Sequence, residues 1–241
     1  MTSEVGSRAT VRVAPTRVWR RWDWAKPVRP AQREVRRAVP SEETTAAPLL
    51  FVPDLHDPGA AAALDPWLAA ATDHGRGGHA LSPRGMGATR RPGRRFAVTR
   101  REWVHDVVQE AVALPRRAVL VGHGTGAWLV AHALHRYPAA AAVLIEPVGL
   151  PGHRFPGLGP LLRRPRIGTS LLLGRDPARP SEAPPLLVAA GGSYPAKSLA
   201  AHAVRYGARG ERLPVGTPGA LPDLGPVLAW LDEVVPARQP A

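Results

Sequence analysis

A short apolar run, Ala118 to Val121, breaks at Gly122-His-Gly-Thr-Gly126, and Trp128, Leu129, Ala131, His132, Ala133 and Leu134 follow at once. A short apolar run bounded by glycine reads as a buried strand, and residues recurring every three or four read as a helix. Strand, Gly-rich turn and helix form the setting of the G-x-S-x-G nucleophile elbow. Here the middle position is Gly124, so the elbow is present without a hydroxyl.

The rest of the chain alternates in the same way. Gln32 to Val39, Pro48 to Val52, His79 to Ser82, Ala140 to Ile145, Pro185 to Ala190 and Glu211 to Val215 are expected strands. Ala60 to Thr72, Lys197 to Tyr206 and Val227 to Val235 are expected helices. Thr99-Arg-Arg-Glu102 is a capping box ahead of Trp103, Val104, Val107, Val108, Ala111 and Val112, which share one helical face. Strands alternating with helices imply parallel βαβ units: an α/β, doubly wound, mostly parallel sheet with helices on both faces.

The 241 residues suit one large α/β domain or two small ones and suffice for a sizeable core. With no cysteine there is no disulfide framework or thiolate metal site. No stretch reaches a membrane span, and the N-terminus lacks a signal peptide's apolar block, so a soluble, cytoplasmic protein is expected. The net charge of +13, 32 basic against 19 acidic residues, is almost all arginine. It is densest in Arg17-Val-Trp-Arg-Arg-Trp-Asp-Trp24 and Arg33-Glu-Val-Arg-Arg37. Arginine interleaved with tryptophan can hold phosphates or stack on bases, but no nucleic-acid-binding motif accompanies it, so a surface arm whose tryptophans pack on the domain is the preferred reading and a nucleic-acid partner is not expected. Residues 1–30 are therefore expected as a basic arm with room for one edge strand, and residues 31–236 as one domain.

The order and spacing of five segments resemble the α/β-hydrolase superfamily over roughly residues 32 to 235. They are Pro48 to Leu55, Ser82-Pro-Arg-Gly-Met-Gly87, Val121-Gly-His-Gly-Thr-Gly126, Leu187-Val-Ala-Ala-Gly-Gly-Ser-Tyr-Pro195 and Leu213 to Leu231. The resemblance implies the α/β-hydrolase fold, with a reduced cap at about residues 149–184. It also implies where the catalytic groups would stand: the nucleophile at Gly124, the acid at Tyr194, the histidine near Pro218. A serine hydrolase needs a hydroxyl, an imidazole and a carboxylate there. None of the three positions carries its group, and no histidine occurs after His202. In the oxyanion loop the family's His-Gly is Pro53-Asp54, followed by Leu55.

No residue is therefore expected to be catalytic. Asp54, Leu55, His123, Gly124, Thr125, Tyr194 and Pro218 are expected as a vestigial site or pocket. His123 is expected to support the turn. Thr125 lends the oxyanion hole its backbone N–H in the family, and its side chain is expected to point elsewhere. No cofactor or metal is expected: His132 and His135 lack a third ligand, His74 and His79 have no acid at metal spacing, and Gly75-Arg-Gly-Gly78 is too short for a phosphate loop. The leading reading is a non-catalytic homologue binding a small molecule or a protein. A hydrolase of small esters or amides with a rearranged catalytic set, and a polyanion-binding protein using the N-terminal arm, are the alternatives.

Overall fold

The computed structural model describes residues 8–13, 31–41, 44–55, 57, 59–89, 98–148, 183–192, 194–214 and 221–236. Trp19, Trp22 and Trp24, most of the expected cap and Pro218 lie outside them.

The strands are β1 (Arg8–Val13), β2 (Gln32–Ala38), β3 (Leu49–Val52), β4 (Gly78–Ser82), β5 (Val119–His123), β6 (Ala141–Ile145), β7 (Leu186–Ala190) and β8 (Arg209–Arg212). They form one sheet in the order β1-β2-β4-β3-β5-β6-β7-β8. From β4 across to β8 every pair is parallel, while β2 runs antiparallel to both β1 and β4. The helices are α1 (Asp65–Asp73), α2 (Arg100–Val112), α3 (Thr125–Ala133), α4 (Ala196–Tyr206) and α5 (Gly225–Val234). Side chains from α2, α3 and α4 pack one core against the sheet, and those from α1 and α5 pack the other. Both faces are covered, so β3, β6 and β7 read as unbroken apolar runs rather than alternating ones.

Three elements differ from the sequence expectation. The helix expected over Ala60 to Thr72 is a 3-10 turn, Ala60–Leu64, followed by α1, because Pro66 at the start of α1 has no N–H to carry an α-ladder across the junction. Strand β8 starts at Arg209 instead of Glu211, since α4 closes on Gly207 in the left-handed conformation and the chain turns at once. Val112 is half exposed, so the apolar stripe of α2 ends at Ala111. The capping box is present: Thr99 Oγ1 accepts from Glu102 N–H, and Glu102 Oε2 accepts from Thr99 N–H at 2.8 Å.

The buried face of α2 also carries charges. Asp106, fully buried, accepts from Arg84 Nε at 2.9 Å and Nη2 at 2.6 Å, and from the Arg84 backbone N–H at 3.0 Å. Arg33, also fully buried, lies 3.6 Å from both Asp106 and Glu110. This network pins the turn after β4 and strand β2 to α2. His74 and Arg76 both reach Asp232 at 2.7 Å and tie α5 to the turn after α1.

Candidate functional site

Strand β3 leads to α1 on one face and β5 leads to α3 on the other, so the carboxyl ends of these adjacent strands are the topological switch point of the sheet. Open α/β sheets bind ligands at such a switch point. The elbow lies there. Gly124, the residue before α3, has φ 55° and ψ −120°. This sharp strand-to-helix turn is disfavoured for a residue with a Cβ and open to glycine. The flanking glycines serve close approach: a Cβ at Gly126 would strike the carbonyls of Val52 and Pro53, and one at Gly122 would lie 2.6 Å from the Ala127 nitrogen. The G-x-G-x-G pattern thus lets β3, β5 and α3 meet.

The loop after β3 folds onto this turn. Leu55 N–H donates to Thr125 Oγ1 at 2.7 Å, and Thr125 Oγ1 donates to Asp54 Oδ1 at 2.7 Å. The other Asp54 oxygen occupies the space of a side chain at position 124, where a Cβ would lie 2.8 Å from Asp54 Cγ. Thr125 is fully buried, so its hydroxyl serves these two bonds. The Leu55 N–H, on the loop that supplies an oxyanion donor in the hydrolase arrangement, is spent on that hydroxyl.

His123 ends β5 on the other side of the turn. Its ring is edge-on to Trp67 at 5.5 Å, and its Nε2 lies 3.6 Å from Glu146 Oε2. Glu146 follows β6 directly, and its Oε1 accepts from Gly191 N–H at 3.0 Å. The His123 ring holds the Glu146 carboxyl below its ordinary value, against the opposing effects of burial and the Asp54 carboxylate. Glu146 has φ 48°, a left-handed conformation that costs a non-glycine residue on the order of 1–3 kcal/mol. Sequence reasoning passed over it, although an acid standing immediately after the Ala140 to Ile145 run was the available signal.

Tyr194, at the position of the acid, is buried, and its hydroxyl donates to Pro147 O at 2.6 Å. Burial pushes its phenol well above the ordinary range. Arg212 Nη1 donates to the carbonyls of Gly191 and Tyr194, which fixes the turn after β7. Asp54, Leu55, Gly124 and Thr125 thus converge directly. His123 stands beside them through Glu146, and Tyr194 braces the far side. Pro218 is outside the described residues. His132 meets Trp128 edge-on, His74 holds Asp232 and His79 is buried; among the described residues no three His, Asp or Glu side chains gather as a metal site. Among them, too, no helix is long and apolar enough to cross a membrane.

No family model matches the chain, and no curated protein matches it in sequence. Solved structures do. A proline iminopeptidase-related protein from Thermus thermophilus is 21% identical, with 95% of this chain and 99% of that one covered and a TM-score of 0.59. An alpha/beta hydrolase from Sphaerobacter thermophilus is 18% identical over 83% of this chain and 95% of that one, with a TM-score of 0.62. The butyrate-bound esterase Est2 from Thermogutta terrifontis is 19% identical over 99% and 98%, with a TM-score of 0.59. Identity this low carries architecture and leaves the chemistry open. The architecture is the α/β-hydrolase fold.

Proposed function

We propose that this protein is a non-catalytic member of the hydrolase architecture, whose elbow site serves the binding of a small molecule or a protein partner. One observation carries the reading: the Asp54 carboxylate fills the side-chain space of Gly124. A serine hydrolase places a nucleophile there and N–H donors around the oxyanion. Here a carboxylate, which would repel an oxyanion, takes the nucleophile's place. The absence of any histidine after His202 supports the same reading. The test is a fluorophosphonate probe with an ester assay beside it. No labelling, and no turnover above a Gly124→Ala control, is the expected result; stoichiometric labelling of one residue would overturn it.

The His123–Glu146 pair favours one second reading, a rearranged hydrolase. An imidazole next to a carboxylate can take a proton from water, and the esterase and peptidase-related names among the structural neighbours point to ester or amide substrates. Turnover of such a substrate that disappears in His123→Gln would establish this second reading and exclude the first.

A further inference from the structure

Strand β8 is the last of the sheet among the described residues, and Arg209, Gly210 and Arg212 are exposed along it. Backbone groups alternate in direction along a strand. Leu213 N–H, directly after β8, donates inward to Ala190 O of β7. The N–H and C=O groups of Gly210 and Arg212 therefore point outward, away from β7. An open edge of this kind is a template for another strand. The side chains divide between the two faces. Gly210 lies under α4, where an added Cβ would stand 3.4 Å from Ala203 Cβ. Arg209 and Glu211 lie on the opposite face, and Arg209 Nη1 reaches Glu233 of α5 at 3.9 Å.

A two-fold axis perpendicular to the sheet would pair β8 with itself antiparallel and keep each face of the sheet continuous across both copies. Charge selects the register. Centred on Gly210, the pairing sets Arg209 of each copy opposite Glu211 of the other. Centred on Arg209 or on Glu211, it sets like charges opposite each other, which is unfavourable. Arg209 already meets Glu211 of its own strand at 3.1 Å, and the two side chains stay 58% and 30% exposed, open to a second partner. Helix α4 fits the same arrangement. It packs on β7 and β8, and Ala203 faces Gly210. Ala200 and Gly207, three and four residues from Ala203, share its flank, and Val204 lies beside them. Ala200, Val204 and Gly207 are exposed, and Val204, at 83%, is the most exposed large apolar side chain among the described residues. With strands about 4.8 Å apart, a helix seated over β7 and β8 would lie about 10 Å from its two-fold mate, a spacing at which helices pack.

We propose that β8 and α4 form the interface of a two-fold homodimer, in which two β8 strands pair antiparallel about Gly210. The test is sedimentation velocity of the full chain over a concentration series, and a dimer fraction that rises with concentration is expected. Gly210→Pro removes the outward N–H at a position where an edge strand tolerates proline, so it should abolish the dimer and leave the circular dichroism of the fold unchanged. Val204→Glu carries the same test if Gly210→Pro fails to fold. Arg209→Glu should weaken the dimer about tenfold, and adding Glu211→Arg should restore it, because the facing pairs become unlike again. A chain that is monomeric at every concentration overturns the proposal, as does a dimer that the folded proline or glutamate variant leaves intact. Equal dimerisation of Arg209→Glu and wild type, or no recovery in the double variant, overturns the pairing about Gly210.

Discussion

The Asp54 carboxylate lies in the space that a side chain on Gly124 would need. The two residues belong to different strands' ends, β3 and β5, and Thr125 joins them by accepting from Leu55 N–H and donating to Asp54. The turn has the backbone shape of an elbow, and the opposite loop occupies the side-chain space at its centre.

Gly124→Ser is therefore expected to destabilise the protein for two separable reasons. A non-glycine residue held at φ 55° costs on the order of 1–3 kcal/mol. The new Cβ also collides with the Asp54 carboxylate, 2.8 Å from its Cγ. Asp54→Gly in the same chain should relieve this collision only, while as a single variant it reports the loss of the Thr125 bond. Denaturant melts of wild type, both single variants and the double variant separate the two contributions. An ester assay alongside should stay flat, because a serine without imidazole and carboxylate partners is a weak nucleophile. A serine variant more stable than wild type would refute the strain argument.

Thr125→Val should cost roughly 1–3 kcal/mol, since it leaves the buried Leu55 N–H without this acceptor and takes one hydrogen bond from Asp54. Thr125→Ser, which keeps the hydroxyl, should cost less. Equal losses in the two variants, read from denaturant midpoints, would mean that the threonine methyl matters more than the hydroxyl.

Much of the architecture was legible because its signals are local. The run Ala118 to Val121, the capping box at Thr99 and the apolar stretch before Pro147 each report their own segment. The Asp54–Gly124 relationship was only half legible. An acid in the oxyanion loop is visible in the sequence, but where its carboxylate points depends on a contact 70 residues away in the chain, from Asp54 to Gly124. Glu146 and the Arg33–Asp106–Arg84 network were missed for a related reason: a charge buried by its partner looks, in sequence, like a charge facing water.

That network supplies a third prediction. Removing one partner of a buried ion pair leaves an uncompensated charge and typically costs about 3–5 kcal/mol. Asp106→Ala would take from Arg84 its two side-chain hydrogen bonds to a buried carboxylate, leaving Glu102 at 3.5 Å, and remove one of the two carboxylates that face Arg33. It is expected to lie in that range or to prevent folding, whereas Asp106→Asn keeps acceptor geometry and should cost less. A measured loss under about 1 kcal/mol for the alanine variant would show that water replaces the carboxylate.

The fourth prediction concerns pH. His132 has an ordinary value of 6.5 and is held at about 3 in the folded chain, by burial first and by neighbouring cations next. Between those values the unfolded chain takes up a proton that the folded chain refuses. Stability contributed by the neutral ring is thus complete above about pH 6.5, falls as the pH drops and levels off below about 3. The limiting slope is about 1.4 kcal/mol per pH unit, reduced by screening because the ring is not fully buried. His132→Gln cannot take up this proton, so its stability should fall less steeply over the same range. Parallel curves for the two proteins in denaturant melts from pH 7 to pH 4 would show that His132 is solvated and that its neighbours do not govern it.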